Sequence, residues 1–313
     1  MEKDILEKLS NIDFKYRNLL NINDQMKFGT EIEFVSSNKN NIHKIIKNLN
    51  NKYELKTNSF ALSENNKIYN MFTNDKVFEI KTPVFNNSVK SFHCLKEICD
   101  ELEKIDVKNS NQKGMHVHVN LSSFDEETEY LYTFLKLFSI YEHVIFRFSY
   151  GEEEYSNINI SSYSREISNI LYTYLRRKDL SKDFKQNILE LQELLKCKSY
   201  ALNFHKKDDK VHEETVEMRT FNSTTNPIII QNNINLLLSM ISRITYSEID
   251  LDLIDYRFKN YDKGFYKREK YSEIYLDDAI ELSELLFETE TDKDYFLKQY
   301  LIKKDIKTKK LVI

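Results

Sequence analysis

Four short runs place ionisable side chains at every second position. They are Glu31 and Glu33 in EIEF, Glu79 and Lys81 in FEIK, His116 and His118 in HVHV, and Glu217 and Arg219 in VEMR. Side chains alternate across an extended chain, so each pair shares one face. The residues between them, among them Ile32, Ile80, Val117 and Met218, face the other way. A single strand of this kind is an ordinary half-buried strand with a solvated outer face. Four such strands side by side would crowd carboxylates, imidazoles and a guanidinium on one surface, with few of the Thr, Ser and Lys that solvated faces favour. Crowded carboxylates cannot all stay ionised without help, and a divalent cation relieves them. Carboxylates select hard ions such as Mg²⁺ or Mn²⁺, and one imidazole is compatible with that set, Mn²⁺ tolerating it better. The planar fork of Arg219 beside such a cluster suits a phosphate. Metal ions plus arginine are the equipment of phosphoryl chemistry. The chain has no Walker A loop and no G-x-G-x-x-G turn. A nucleotide would therefore be held by ions and side chains, not by a glycine cradle.

These runs must be positioned by the elements around them. Apolar spacing predicts helices over 2–21, 39–51, 88–106, 126–150, 184–197 and 228–247. Alternation predicts strands over 27–35, 52–57, 67–72, 76–82, 114–122, 200–204 and 214–221, with Pro83 ending the fourth. The stretch 151–182 is polar and carries no clear period, and the chain beyond 250 is polar, Tyr-rich and helical. No internal repeat or linker is evident. The expected class is α+β, with a mostly antiparallel sheet and helices on one of its faces.

In this order the motifs resemble the amidoligases of the glutamine synthetase and glutamate–cysteine ligase superfamily. They are G-x-E-x-E at Gly29, Glu31 and Glu33, then Phe78-Glu79-Ile80 closed by Pro83, then GMHVH at 114–118, then TVEMR at 215–219. YALNF before the last motif and Asn226-Pro227 after it are similar too, so the resemblance spans residues 27–245. It implies a glutamine-synthetase-like catalytic fold: a curved, mostly antiparallel sheet with helices on its outer face. It implies a catalytic domain over 1–250 and a helical C-terminal extension over 251–313. The implied metal ligands are Glu31, Glu33, Glu79, His116 and Glu217. Glu33, Glu217 and Arg219 would serve catalysis, Arg219 by stabilising the γ-phosphate. His118 and Arg147 would lie near the nucleotide phosphates, and Asn58, Lys81, Arg165 and Asn203 near the substrate. The implied cofactors are ATP and Mg²⁺ or Mn²⁺. The reaction would join the carboxylate of a small molecule or peptide to an amine through an acyl phosphate. Two departures stand out. Asn58-Ser59 replaces an Asp-Gly-Ser-like element, and Lys81 stands where a small residue is usual.

Plainer readings sit beside these. Arg147 and Arg165 are as compatible with surface salt bridges, which contribute little. Lys81 is equally an anion ligand or an outward-pointing surface group, and Asn203 equally a substrate ligand or a backbone partner. His43, His93, His143, His205 and His212 have no motif context and read as surface or satisfied core residues. A guanidino kinase of the same superfamily, an HxH metal hydrolase or cupin-like protein, and a degenerate non-catalytic member stay open as alternatives. The HxH reading needs a further histidine in context, which the sequence does not offer.

Composition limits the other possibilities. The net charge of −4 carries no basic excess for nucleic acid. No apolar run approaches the ~18 residues of a membrane span, and the charged N-terminus lacks a signal-peptide core. Cys94, Cys99 and Cys197 lack metal-knuckle spacing and are expected as reduced thiols of a cytoplasmic protein. The oligomeric state does not follow from these features.

Overall fold

The computed structural model describes residues 2–55, 59–69, 76–105, 107–109, 114–149, 164–177, 183–205, 214–246, 249–261, 275–301, 303–304 and 311–312. In chain order the first half contains α1 (Glu2–Ser10), β1 (Lys27–Ser36), α2 (Lys39–Lys52), β2 (Ala61–Tyr69), β3 (Lys76–Lys81), β4 (Phe85–Asn86), α3 (Val89–Lys104), β5 (Lys108–Asn109), β6 (Gly114–Asn120) and α4 (Thr128–Ser149). The second half contains α5 (Ser168–Arg177), α6 (Phe184–Leu194), β7 (Leu202–His205), β8 (Thr215–Asn222), α7 (Pro227–Thr245), α8 (Leu251–Lys259), α9 (Leu276–Leu286) and α10 (Glu290–Leu301).

β1 is the centre of the sheet. The order is β2-β3-β1-β6-β8-β7, with the short β4 and β5 also paired to β1. Each of these pairings is antiparallel. The expected α+β class with an antiparallel sheet is what is found. On β1 the alternation is visible as burial: Phe28, Thr30, Ile32 and Phe34 are buried, whereas Gly29 and Glu31 are half-buried. Phe78 and Ile80 of β3, Met115, Val117 and Val119 of β6, and Val216 and Met218 of β8 continue this apolar face.

Two helices pack on its β6 and β8 part. α7 packs on β6, α4 packs on β8, and the two pack on each other. Both are buried on nearly every side, and the buried Gln231, Asn232, Asn233 and Asn235 of α7 are hydrogen-bonded. α7 begins sharply because Asn226 accepts hydrogen bonds from the N–H groups of Ile228 and Ile229, with Pro227 at the first helical position. α2 offers Ile42, Ile45, Ile46 and Leu49 on one stripe and packs against α3 and β2.

The helices after residue 250 join the same body. α8, α9 and α10 all pack on α4, and α10 also touches α1 and α7. The buried apolar cluster runs without a break from Leu9 through Ile254 and Leu282 to Leu301. Asp292, buried on α10, pairs with Arg17 and accepts a 2.7 Å hydrogen bond from Asn235 of α7.

Two sequence expectations are corrected. The helix predicted over 2–21 ends at Ser10. Beyond it, distant side chains take the place of helical partners: Lys15 N–H donates to Tyr295 Oη, Arg17 N–H to Gln231 Oε1, and Leu20 N–H to Asn87 Oδ1. Nor is there a strand over 52–55. Lys52 closes α2, and Glu54 takes a left-handed turn at φ 56°.

α5 falls within the stretch where the sequence had no clear period. Its N-terminus is held by Glu142 of α4, whose carboxylate accepts from the N–H groups of Ile167 (2.7 Å) and Ser168 (3.2 Å). These are orphan donors of a helix start, where negative charge is favoured. Burial nevertheless pushes the Glu142 carboxyl up to about 7. The folded state then holds more protons than the unfolded chain between the usual 4.5 and about 7. Stability from this group is present below that window and falls as pH rises through it. In urea unfolding from pH ~5 to ~8, wild type should lose up to about 3 kcal/mol relative to Glu142→Gln. Parallel pH profiles for the two proteins would contradict this assignment.

Candidate active site

The face of the sheet opposite α4 and α7 carries the ionisable residues, because register places them side by side. Glu31 stands opposite both Lys81 and His116, Glu33 opposite Glu79, and Glu217 opposite both His118 and Asn203. A bulge between β6 and β8 sets Val117 against Met218 but Met115 against Phe221. Two β8 residues therefore meet one of β6 near His116, and such bulges re-aim side chains. Arg219 stays on the site face, its N–H bonded to Ala201 O at 2.9 Å.

At the centre, His116 Nδ1 lies 2.8 Å from Glu31 Oε2 and 3.2 Å from Glu217 Oε1. Arg219 Nη1 donates to Glu217 Oε1 at 2.6 Å and lies 3.3 Å from His116 Nδ1. Lys81 Nζ is 2.5 Å from Glu31 Oε1 and 3.3 Å from Glu79 Oε1. Glu79 also accepts from Ser63 Oγ at 2.9 Å. Glu33 Oε2 accepts the N–H of Gly114 at 2.8 Å and sits 4.0 Å from His116 Nε2.

Burial alone would raise the Glu31 and Glu217 carboxyls. For Glu31 it is outweighed by the hydrogen bond to His116 and the charges of His118, His116 and Lys81. For Glu217 it is outweighed by His118, His116, the hydrogen bond from His205, and Arg219. Both carboxyls end well below the usual range and are ionised at neutral pH. Burial would lower His116, but Glu217 and Glu31 raise it on balance. His118 is lowered, chiefly by burial.

This donor set fits a hard divalent ion. Glu31, His116 and Glu217 each offer a ligand atom, all within 4.8 Å of one another. His116 Nε2 is buried and has no hydrogen-bond partner among the described residues, so among them the cluster keeps an unpaired buried donor or acceptor.

Residues 24–241, more than half of the chain, match the family model described as "Putative amidoligase enzyme". The chain belongs to this family. A search of curated proteins gave no match. Among solved structures it is similar to the complex between prokaryotic ubiquitin-like protein Pup and its ligase PafA. That alignment has a TM-score of 0.36 and 14% identity, and covers 91% of this chain and 63% of the other. The chain thus spans less than two thirds of the length of that structure's chain.

The amidoligase fold brings together Glu31, Glu33, Glu79, Lys81, His116, His118, Asn203, Glu217 and Arg219 on one face. Lys81 does not point away from the sheet; it is ion-paired within the cluster. Asn203 Nδ2 donates to Tyr200 O at 3.3 Å, and the side chain is buried beside Glu217. Arg165 is exposed, and its backbone bridges Ser199 and Ala201, the latter also the partner of the Arg219 N–H. Asn58 lies outside the described residues. Arg147 is a correction. It is buried on α4, donates from Nε to Tyr300 O at 3.2 Å, and stacks on the Tyr300 ring. These contacts lie in the helical layer behind the sheet, where α4 packs on α10.

His205 was passed over in the sequence. Its Nε2 lies 2.6 Å from Glu217 Oε2, and its ring centroid is 5.5 Å from that of His118. The signal was available in the alternation of LNFH: two positions beyond Asn203, it must share that residue's face.

Lys81 and a metal ion would compete for Glu31. Lys81→Met should therefore tighten Mn²⁺ binding, read by electron paramagnetic resonance, by about tenfold, the equivalent of roughly 1.4 kcal/mol of relieved competition. Unchanged or weaker binding would show that the ammonium does not hold the ion's place.

Proposed function

We propose that this amidoligase is an ATP-dependent ligase that joins a carboxylate to an amine through an acyl phosphate, with Mg²⁺ or Mn²⁺ held on the sheet face. The observation that carries the reading is the convergence of Glu31, His116, Glu217 and Arg219, from three neighbouring strands, on one buried cluster within the family match. Glu31, His116 and Glu217 would hold the ion, with Glu33 and Glu79 on the adjoining positions. Bound there, it would neutralise phosphate charge and set the nucleotide against the sheet.

The chain's own groups account for the rest. The Arg219 guanidinium is fixed by Glu217 at one nitrogen, and its Nε is buried with no hydrogen-bond partner among the described residues. That leaves donors to stabilise the γ-phosphoryl oxygens as charge builds on them. In the first half-reaction an oxygen of the substrate carboxylate bonds to the γ-phosphorus, the bond to the β–γ bridging oxygen breaks, and ADP leaves. In the second, the amine nitrogen bonds to the acyl carbon, phosphate leaves with the former carboxylate oxygen, and a proton passes from nitrogen to a base. His118, Lys81 and Asn203, which register places on this face, and Arg165 are the proposed contacts for phosphate and substrate. The substrate class is a small molecule or peptide bearing the carboxylate, with an amine as co-substrate.

ATP turnover, followed as phosphate release with Mg²⁺ or Mn²⁺ and pools of amino acids and short peptides, tests this reading. Wild type should show substrate-stimulated release. Glu217→Gln should lose it, and Arg219→Ala should be slowed by about 10³-fold or more. No release in any pool, together with no metal-dependent ATP binding by calorimetry, would overturn the proposal.

A further inference from the structure

Beside the cluster of Glu31, His116 and Glu217 stands a second set of donors with different chemistry. His118, His205 and Glu217 each offer one ligand atom, and these atoms also lie within 4.8 Å of one another. Each comes from a different strand: His118 from β6, Glu217 from β8 and His205 from β7. Glu217 belongs to both sets. Its Oε1 faces His116 and Arg219, and its Oε2 faces His205.

Hydrogen bonds among the described residues account for only one nitrogen of His118. Its Nδ1 is 3.4 Å from Thr215 Oγ1. An Nδ1–H donated to that hydroxyl leaves Nε2 as a lone pair. This Nε2 is buried and has no hydrogen-bond partner among the described residues. It nevertheless lies 3.5 Å from Glu217 Oε1 and 3.6 Å from Glu31 Oε1. Such a buried, unpartnered ring nitrogen beside two carboxylate oxygens is placed as a metal ligand would be. Two donors bound to one ion at about 2.1 Å are themselves roughly 3–4 Å apart, depending on the angle between the bonds. The His118–Glu217 separation falls in that range. The shorter His205–Glu217 contact must open slightly, and the His205 side chain, 43% exposed, has room to do so.

We propose that His118, His205 and Glu217 form a site for a borderline first-row transition-metal ion, of the Zn²⁺, Co²⁺ or Mn²⁺ kind, in preference to Mg²⁺. Two neutral imidazoles and one carboxylate suit such ions, whereas Mg²⁺ demands oxygen ligands. Three protein ligands leave further positions on the ion open. The proposal stands apart from the ligase reading, because it concerns binding in the absence of nucleotide.

The test is titration of chelator-treated protein with Co²⁺ under saturating Mg²⁺, without ATP, followed by visible d–d absorption. The expected result is a saturable Co²⁺ band that Zn²⁺ displaces. Both His205→Ala and His205→Gln, checked for folding by circular dichroism, should weaken Co²⁺ binding at least ~10-fold, the scale on which altered ligand surroundings act. Absence of the band in wild type, or an unchanged midpoint in folded His205→Ala and His205→Gln, would overturn the site. A Co²⁺ band that depends on His205 supports it even where ATP turnover is absent, and failure of the band leaves a positive turnover assay untouched.

Discussion

A carboxylate as deeply buried as Glu217, at 1% exposure, persists in ionised form only when its surroundings supply compensating charge. Here Arg219 and His116 face it and His205 hydrogen-bonds to it, each within 3.2 Å of a Glu217 oxygen. This constraint organises the site face. Glu217 must sit where β6, β7 and β8 run side by side, and that requires the bulge after Met115 to admit both Arg219 and His116. Truncating any of the three partners would leave negative charge uncompensated in a poorly solvated place. The same arrangement ionises the ligands in advance, so little carboxylate deprotonation is needed when a cation arrives.

The opposite face makes such crowding tolerable. Two like charges about 4 Å apart repel by about 4 kcal/mol near a protein surface. Each large apolar side chain buried on the other face, such as Phe34, Phe78 or Ile80, contributes about 1.5–3 kcal/mol. α7 and α4 pack on the β6 and β8 part of that face, and the C-terminal helices brace α4 from behind. The helices beyond residue 250 thus act on the site at a distance, through α4. The Arg17–Asp292–Asn235 cluster ties the first segment, α7 and α10 into that brace.

How much of this was legible in the sequence depended on range. Period-two alternation is local, so EIEF, FEIK, HVHV and VEMR identified their strands and their polar faces directly. The start of α7 was legible too, since Asn226 and Pro227 act on adjacent N–H groups. The end of α1 was not, because its replacement partners, Gln231 and Tyr295, lie more than 200 residues away. His205 was missed for a related reason. Its role appears only when β7 is registered against β8, and no motif surrounds it. Arg147 was misplaced because a basic residue near the end of a helix says nothing of which layer that helix belongs to. The cap of α5 by Glu142 is likewise a contact between elements.

Lys81 shows how register converts a sequence oddity into a physical device. As an isolated departure from the family pattern it had two equal readings, ligand or surface group. Registered opposite Glu31 and two positions from Glu79, it has a third. Its ammonium lies between two carboxylates and carries the charge that a bound cation would otherwise bring. A lysine can do this only because its stem is long and flexible and its side chain is 44% exposed, so the ammonium keeps part of its hydration. An ion arriving at Glu31 must displace it, whereas an ion arriving between His118 and His205 need not. The two donor sets therefore differ in ligand softness and also in the internal cation each must compete with. Glu217, common to both, is the residue through which occupation of one would be felt at the other.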